Sequence, residues 1–400
     1  MAYPDSRNTS GPGGRKMDSA ETRNFSEGSL IVLKKAGRSR RLGILFSVLG
    51  ILSAVTTVLF SLFIFSDIPF FSYWRGIWVE TAMTTMNHRW LATSLIPRDR
   101  IEEIMSNVVN PDVIGGADAL STRDKDDPSV TDDPSKINNP PVEGDILGQY
   151  NLKVGDKDYA GNTVLINDIE EGLIVSEIVS GSFKGKIMLI DDPSRVYLGQ
   201  TPYPGEQGLR IKSMMAYYDA IAGINASGFL DPNENGNGGD VVGLSCSMGR
   251  MWGEYTYMYG SVVITYDNRL VVGNLDIWEK YNIRDGIQFG PVLIANGKVM
   301  VSGSAGYGLQ PRTAIGQRKD GVIAFLVIDG RNVTHSIGCT VGDLAEILIA
   351  YGIENAACCD GGASSVLAYD GQVITKNCSL NPDYGRPLPN AFLVRRKSKN

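Results

Sequence analysis

The residues best suited to chemistry in this sequence follow an apolar run in its last quarter. Asp360 comes directly after that run, Gly361 and Gly362 follow it, and the hydroxyls of Ser364 and Ser365 come next. Glycines let a ligand approach the backbone closely, and a carboxylate at a strand end can reach such a ligand. The alternative is a glycine turn in which the aspartate only bonds to its own backbone.

Two elements before Asp360 are predicted to position it. Thr340 and Asp343 have the spacing of a capping box, and apolar residues at helical spacing run from Leu344 to Tyr351. A short strand is predicted over residues 353–359. We therefore expect Asp360 at the end of a strand that follows an amphipathic helix.

Two other charged residues are predicted to lie at strand ends. Arg312 begins a predicted strand, where its planar guanidinium can offer paired donors to a phosphate or a carboxylate. Asp329 follows a continuous apolar strand. The alternatives are a solvated arginine on an edge strand and an aspartate that only forms a turn.

A polar glycine loop resembles the start of a calcium-binding loop. Asp231, Asn233 and Asn235 place oxygen ligands at positions one, three and five, and Gly236 stands at position six. Position twelve is Val242, which cannot supply the bidentate carboxylate of such loops. We expect no required cofactor, with a structural Ca²⁺ at this loop as the one candidate.

Composition narrows the classes of partner. The formal net charge is -6, and the C-terminal part carries no basic block, which argues against nucleic acid as a partner. His88 and His335 are the only histidines, so a multi-histidine metal site is not expected. We assign neither histidine a role, and we expect His335 at the surface.

Residues 42–65 form an apolar stretch without charge or proline, long enough to span a bilayer as a helix. Basic residues precede it, and the positive-inside rule then places the N-terminus in the cytoplasm and the rest outside the cell. We expect an uncleaved signal anchor in the cell membrane. A cleaved signal peptide is the alternative, but no small-residue cleavage site follows the apolar run.

The remaining chain divides by composition. We expect a disordered cytoplasmic tail over residues 1–41, a helical stalk over 66–110 and a flexible linker over 111–143. The folded domain is expected over residues 144–400.

The folded part is predicted to be α+β, a hairpin-rich mixed sheet with a few helices packed on it. One helix is predicted over residues 212–222, with Gly223 as its cap. Turn dipeptides flanked by apolar runs predict the hairpins. These dipeptides are Asp267-Asn268, Asn296-Gly297, Asp320-Gly321 and Asp370-Gly371.

The five cysteines lack the regular spacing of a disulfide framework. Cys358 and Cys359 are neighbours on a predicted strand, so their side chains should point to opposite faces of its sheet. We expect the cysteines to be small buried hydrophobic residues.

Several short motifs, taken together and in order, resemble the phosphodiester glycosidase family. The resemblance covers roughly residues 200–395. The motifs are Gly223–Phe229, Phe289–Pro291, Pro311–Gly316, Ile328–Arg331, Asp360–Ser365 and Pro389–Ala391.

The resemblance implies hydrolysis of a sugar-1-phosphodiester of the N-acetylglucosamine-1-phosphate type, in a cell-surface glycan or exopolysaccharide. The transition state of that reaction resembles an oxocarbenium ion, which a carboxylate stabilises, and the phosphate leaving group needs cationic stabilisation. We assign these catalytic parts to Asp360 and Arg312. The expected substrate-binding residues are Asn225, Ser227, Thr313, Asp329, Gly361, Gly362, Ser364, Ser365 and Asn390.

The sequence departs from the family pattern at two positions near the turn. Cys359 stands where an aliphatic residue or Asn-Leu is usual, and Ala363 replaces the usual third glycine. Both residues are small and apolar, so the turn is expected to persist. The family's cysteine-rich appendages are absent, which leaves the group on the far side of the phosphate open.

Two other classes of function compete with this one. A glycan-binding module on a membrane stalk would not need the Asp360 carboxylate. A phosphodiesterase would cut a phosphorus–oxygen bond, although a two-metal enzyme of that kind would want clustered His and Asp residues.

Overall fold

The structure is a computed structural model of the 400-residue chain. It describes residues 19–85, 88–109, 113–116, 145–230, 236–274, 277–379 and 381–397. The chain divides into two compact units, Met1–Ser72 and Tyr73–Asn400.

The first unit contains the long helix α1, Ser19–Phe65. Its Arg41–Phe65 part is long and apolar enough to cross a membrane. The helix begins well before the apolar stretch, so residues 19–41 are helical where we expected a disordered tail.

Six shorter helices and nineteen strands are described after α1. The helices are α2 Pro69–Met83, α3 Trp90–Thr93, α4 Arg98–Met105, α5 Ile211–Tyr217, α6 Ile277–Lys280 and α7 Val341–Ala350. Single 3-10 turns cover Pro193–Arg195 and Gly362–Ser364. The strands are β1 Ile114–Gly115, β2 Thr163–Asp168, β3 Leu173–Ser180, β4 Phe183–Ile190, β5 Val196–Gln200, β6 Ala220–Asn225, β7 Ser245–Ser247, β8 Arg250–Trp252, β9 Ser261–Thr265, β10 Leu270–Gly273, β11 Ile283–Gln288, β12 Val292–Ala295, β13 Lys298–Val299, β14 Arg312–Arg318, β15 Ile323–Ile328, β16 Ile353–Cys358, β17 Leu367–Tyr369, β18 Gln372–Val373 and β19 Asn390–Arg395.

The strands form three sheets. The eight-stranded sheet has the order β13-β12-β16-β14-β15-β4-β3-β2, the five-stranded sheet β18-β17-β6-β19-β5, and the six-stranded sheet β1-β10-β9-β11-β7-β8. The α+β class is confirmed. The pairings between the described strands are antiparallel, whereas we expected a mixed sheet.

The central strands of the eight-stranded sheet are buried on both faces. Every residue of Ile323–Ile328 is buried, as in a central strand covered on both sides. One apolar core joins one face of this sheet to the other two sheets, and a second lies on the opposite face with α7. Cys359 belongs to the first core and Cys358 to the second, which confirms that the two side chains point to opposite faces.

All five cysteines are free thiols, and four of them are buried. Cys378 is partly exposed. The expectation of buried hydrophobic cysteines therefore holds for the four that lie in or beside the sheets.

Short-range signals gave the right local structure around the turn dipeptides. The four hairpins form where we predicted them, for instance β14 and β15 around Asp320-Gly321. The capping box before α7 is also confirmed. Thr340 Oγ1 accepts from Asp343 N at 3.1 Å, and Thr340 N donates to Asp343 Oδ2 at 2.8 Å.

The helix predicted over residues 212–222 is too long. Helix α5 ends at Tyr217, and Asp219 turns the chain with a φ of 51°. Residues 220–225 instead form β6, fully buried between β17 and β19. Gly223 is therefore a strand residue, where an added Cβ would lie 2.6 Å from Leu393 Cδ2. Sheet burial outweighs the helical spacing of this segment.

Residues expected in the stalk belong to the same compact unit as the sheets. Leu309 N donates to Thr81 Oγ1 at 2.9 Å, and Val109 N donates to Ala305 O at 3.1 Å. Strand β1, before the expected start of the folded domain, pairs with β10. Most of the predicted linker, residues 117–143, lies outside the described residues.

Candidate functional site

Three charged residues that the sequence singled out lie at one end of three neighbouring central strands of the eight-stranded sheet. Arg312 pairs in register with Ile328, the residue before Asp329, and Ala314 pairs with Cys358. The start of β14 therefore lies beside the ends of β15 and β16. This arrangement brings Arg312, Asp329 and Asp360 to the same side of the sheet.

Asp360 lies where the chain crosses from the eight-stranded to the five-stranded sheet. Cys359 N still bonds to Thr313 O at 2.9 Å, whereas Asp360 N bonds to Ala226 O, just beyond β6, at 2.9 Å. A single 3-10 turn follows, and β17 then pairs with β6. We call residues 359–366 the crossing segment.

Asn225 holds the crossing segment through hydrogen bonds to its backbone. Its Nδ2 donates to Asp360 O at 2.7 Å, and its Oδ1 accepts from Val366 N at 3.1 Å and from Thr313 Oγ1 at 2.8 Å. Asn225 and Thr313 have no exposed surface. In this structure both side chains hold backbone and each other, and neither faces the solvent.

Asn390 makes a second buried network beside the first. Its Oδ1 accepts from Ser227 N at 2.8 Å, and its Nδ2 donates to Ser227 Oγ and Ser245 Oγ at 2.9 and 2.8 Å. Asn390 and Ser245 are fully buried, and Ser227 is 1% exposed. This network joins the start of β19 to the segment after β6.

The serines of the crossing segment are also buried, at 3% exposure for Ser364 and 4% for Ser365. Asn377 Nδ2 donates to Ala363 O and Ser365 O at 3.0 and 2.8 Å. Ser365 Oγ is buried and has no hydrogen-bond partner among the described residues. The serine hydroxyls therefore point into the protein, where we expected them to face a ligand.

The exposed part of the crossing segment is its beginning. Asp360, Gly361 and Gly362 are each partly exposed, and Asp360 Oδ1 accepts from Gly361 N at 2.9 Å. Gly362 has a φ of +61°, which favours glycine. Among the predicted site residues, these three combine a location just beyond the end of β16 with access to solvent.

Arg312 is directed toward the loop that precedes its own strand. Its Nη2 donates to Tyr307 O and Gly308 O at 2.8 and 2.9 Å, and its Nε donates to Cys339 O at 3.4 Å. The residue is only 8% exposed. In this structure the guanidinium holds backbone carbonyls.

Glu80 of helix α2 lies beside Arg312, and sequence reasoning missed it. Burial raises the pKa of the Glu80 carboxyl, while hydrogen bonds from Ser304 and Gly308 and the charge of Arg312 lower it by less. Glu80 is 8% exposed. No sequence signal linked it to a site, because its segment has the composition of a stalk.

A histidine–aspartate pair occupies the end of β15. His335 Nε2 lies 2.8 Å from Asp329 Oδ2, and Asp329 Oδ1 accepts from Lys376 N at 2.9 Å. Asp329 is 4% exposed, whereas the His335 side chain is 17% exposed. Sequence reasoning assigns His335 no role, because its partner is fixed by the turn that follows β15.

Arg331 is a second residue that sequence reasoning missed. It is exposed, has a φ of 58°, and donates from Nη2 to Gln310 Oε1 at 3.0 Å. A Cβ added to Gly362 would lie 3.1 Å from that same Nη2. The Arg331 guanidinium thus reaches the glycine turn next to Asp360, and the missing side chain at Gly362 leaves it room.

Two tyrosines interact with charged residues of the candidate site. Burial raises the pKa of Tyr259, and the negative charge of Asp360 raises it further, so the two groups interact electrostatically. Burial, with smaller effects of Cys358 and Tyr259, raises the pKa of Tyr307 to about 12 against the lowering effect of Arg312. Tyr259 also stacks on Phe289, with ring centroids 4.9 Å apart.

The predicted calcium ligands Asp231, Asn233 and Asn235 lie outside the described residues. Within the part of the chain that the structure describes, no group of three His, Cys, Asp or Glu side chains is arranged to hold a metal ion.

Residues 218–395 match the family model described as phosphodiester glycosidase. This match agrees with the resemblance that the short motifs indicate. The SPbeta prophage-derived uncharacterized protein YomE of Bacillus subtilis is 29% identical over 196 residues, which are 46% of this chain and 29% of that protein. The chain thus spans less than a third of that relative's length.

Solved structures are similar to this chain at lower identity. One is the zebrafish N-acetylglucosamine-1-phosphodiester alpha-N-acetylglucosaminidase catalytic domain, auto-inhibited by its pro-peptide. It is 19% identical, with a TM-score of 0.46, over 56% of this chain and 82% of that chain. A hypothetical protein from Synechocystis is 16% identical, with a TM-score of 0.42, over 58% of this chain and 64% of that chain.

All nine predicted substrate-binding residues and both predicted catalytic residues lie inside the matched region, residues 218–395. Glu80, which lies beside Arg312, comes from a segment before the matched region.

Proposed function

We propose that this protein hydrolyses a sugar-1-phosphodiester between the anomeric carbon and its oxygen. The observation that carries the proposal is the partly exposed aspartate Asp360 at a glycine turn, inside the region that matches the phosphodiester glycosidase model. The substrate class proposed is an N-acetylglucosamine-1-phosphodiester in a cell-surface glycan or exopolysaccharide.

The proposed step replaces the bond from the anomeric carbon to the phosphate oxygen with a bond to a water oxygen. The leaving oxygen departs with the phosphomonoester, and the proton of the water is released to solvent. Positive charge develops on the sugar ring during this step, and the Asp360 carboxylate stabilises that charge. No cofactor takes part in the proposed step.

Arg331 is proposed to stabilise the phosphate. Its guanidinium reaches the turn at Gly362, in the same partly exposed stretch as Asp360. A guanidinium offers a planar fork of donors that matches two phosphate oxygens. This assignment moves the phosphate contact from Arg312, whose donors are directed at loop carbonyls, to its exposed neighbour.

The buried predicted residues are proposed to position the turn and not to contact the sugar. Asn225 and Thr313 hold the crossing segment, Asn390 holds the segment after β6, and Arg312 holds the loop before β14. Preorganised supports of this kind keep a catalytic group in place without contacting substrate.

We also propose that Arg41–Phe65 anchors the protein in the cell membrane, with the glycosidase domain outside. Support comes from the length and hydropathy of this helix and from the basic residues that precede it. Protease added to intact cells should release a fragment containing residues after 145. A domain that is cut only after lysis would exclude this topology.

The test of function uses the full-length protein and N-acetylglucosamine-1-phosphodiesters of small alcohols. Free sugar and a phosphomonoester are the expected products, and Asp360→Asn should abolish their release. Asp370→Asn is the matched control, since Asp370 also precedes a glycine in a turn but belongs to the β17–β18 hairpin.

Other products would point to the competing functions. Release of a sugar phosphate would identify a phosphodiesterase. Glycan binding without any product, retained in Asp360→Asn, would identify a binding module.

A further inference from the structure

The loop between β8 and β9, residues 253–260, presents an unusual run of large side chains to solvent. We call it the tyrosine loop. Tyr255, Tyr257 and Met258 are 43%, 88% and 70% exposed. The rings of Tyr255 and Tyr257 contact edge to face, with centroids 4.7 Å apart. Exposed apolar groups in one patch mark a surface that binds something.

The tyrosine loop is fixed at its middle. Gln288 is fully buried, and its Oε1 accepts from Thr256 N while its Nε2 donates to Thr256 O, both at 3.0 Å. The same Oε1 accepts from Leu244 N at 2.8 Å. A side-chain amide therefore pairs with the loop backbone as a neighbouring strand would, which limits the ordering that a ligand must bring about.

The end of the tyrosine loop lies near the segment that carries Asp360. Its last tyrosine, Tyr259, is half-buried and stacks on Phe289 at an interplanar angle of 18°. A Cβ added to Gly228 would lie 2.9 Å from Phe289 Cε2, and Gly228 comes two residues after Ala226, whose carbonyl accepts from Asp360 N. The tyrosine loop thus runs from solvent to a ring that packs beside the segment bonded to Asp360.

The chemistry of the loop fits a carbohydrate chain. An aromatic ring packs against the C–H face of a sugar, while the tyrosine hydroxyl can bond to sugar hydroxyls or water. Residues 253–260 contain no lysine or arginine, and Glu254 is their only charged residue. This composition does not suit an anionic membrane surface or a nucleic acid, both of which attract basic side chains.

We propose that the tyrosine loop is a subsite for neighbouring sugars of a glycan chain whose terminal sugar-1-phosphodiester reacts at Asp360. The inference rests on the proposed function for the reacting sugar. It makes the substrate an oligosaccharide or polymer, and it makes Tyr255 and Tyr257 specificity-determining residues.

The test measures binding of a phosphate-free N-acetylglucosamine tetrasaccharide to the full-length protein by isothermal titration calorimetry. The parent should bind, Tyr257→Ala should bind at least about tenfold more weakly, and Tyr257→Phe should bind as the parent does, because it keeps the ring. Tyr217→Ala is the matched control, since Tyr217 is 60% exposed and contacts Tyr218 edge to face.

Absence of tetrasaccharide binding by the parent, or parent-like binding by Tyr257→Ala, would overturn the subsite. Hydrolysis of the small phosphodiester is measured on the same preparations. Cleavage without tetrasaccharide binding would overturn the subsite and leave the proposed reaction standing. Tetrasaccharide binding that depends on the Tyr257 ring, without cleavage of the small phosphodiester, would support the subsite and contradict the proposed reaction.

Discussion

Asn225 and Asp360 are joined by a hydrogen bond of 2.7 Å, yet they occupy opposite environments. Asn225 has no exposed surface and bonds to groups of three other residues, whereas Asp360 is partly exposed at a glycine turn. Both belong to the short motifs that gave the family resemblance. Motif membership therefore does not separate residues that hold a turn from residues that can react, and burial does.

The largest expected effect comes from replacing Asp360, the exposed residue of this pair. Asp360→Asn keeps the size of the side chain but removes its charge, so the cationic transition state loses more stabilisation than the neutral ground state. We expect kcat to fall on the order of 10³-fold or more, about 4 kcal/mol in barrier, with an unchanged melting temperature. Activity within about tenfold of the parent would remove Asp360 from the mechanism.

A large effect on stability is expected from replacing Asn225, the buried residue of the pair. Asn225→Ala leaves Asp360 O, Val366 N and the Thr313 hydroxyl without their shared partner. Unmet buried polar groups cost about 1–3 kcal/mol each, partly relieved by relaxation, so we expect a loss of about 2–4 kcal/mol in the free energy of unfolding. Urea unfolding measures this loss. A variant as stable as the parent would show that the crossing segment keeps its structure without the hydrogen bonds of Asn225.

Two arginine variants sharpen the comparison. Arg331→Lys keeps the charge but loses the planar fork, and we expect kcat/KM on a phosphodiester to fall by about 1–3 kcal/mol equivalent without a change in melting temperature.

Arg312→Lys should lower the melting temperature, because its donors hold the Tyr307 and Gly308 carbonyls. The reverse pattern, with Arg331 stabilising and Arg312 affecting only kinetics, would return the phosphate contact to Arg312.

The smallest effect concerns Glu80 and depends on pH. An acid with a higher pKa in the folded state binds more protons folded than unfolded between its two pKa values. The free energy of unfolding of the parent should therefore fall as pH rises from the ordinary value of 4.5 through the raised value of Glu80. Glu80→Gln should lack this component in urea titrations across that range. Parallel pH profiles for parent and variant would show that Glu80 does not titrate with folding.

The elements that sequence predicted well depend on near neighbours in the chain. The capping box of Thr340 and the turn at Asp370-Gly371 are set by residues within a few positions, so their local chemistry was enough. The helix predicted over 212–222 was wrong beyond Tyr217, because β6 is stabilised by distant strands.

The site shows the same division. The position of Asp360 at a strand end followed from local pattern. The direction of Arg312 toward Tyr307 and Gly308 did not, nor did the contacts of Glu80 and His335, because each depends on how separate segments pack. Burial of Asn225 and Asn390 likewise depends on the joining of two sheets, which spacing along the chain does not encode.

Hydrolysis in water labelled with oxygen-18 tests most directly whether the chemistry occurs at the sugar. Free sugar and a phosphomonoester would also result from attack at phosphorus with the sugar oxygen leaving, so products alone do not locate the broken bond. The label is read by mass on the phosphomonoester, whose oxygens do not exchange with water as those of a reducing sugar do. Attack at the anomeric carbon beside Asp360 predicts a phosphomonoester without label. One oxygen-18 in the phosphate would place the attack at phosphorus and contradict the glycosidase assignment.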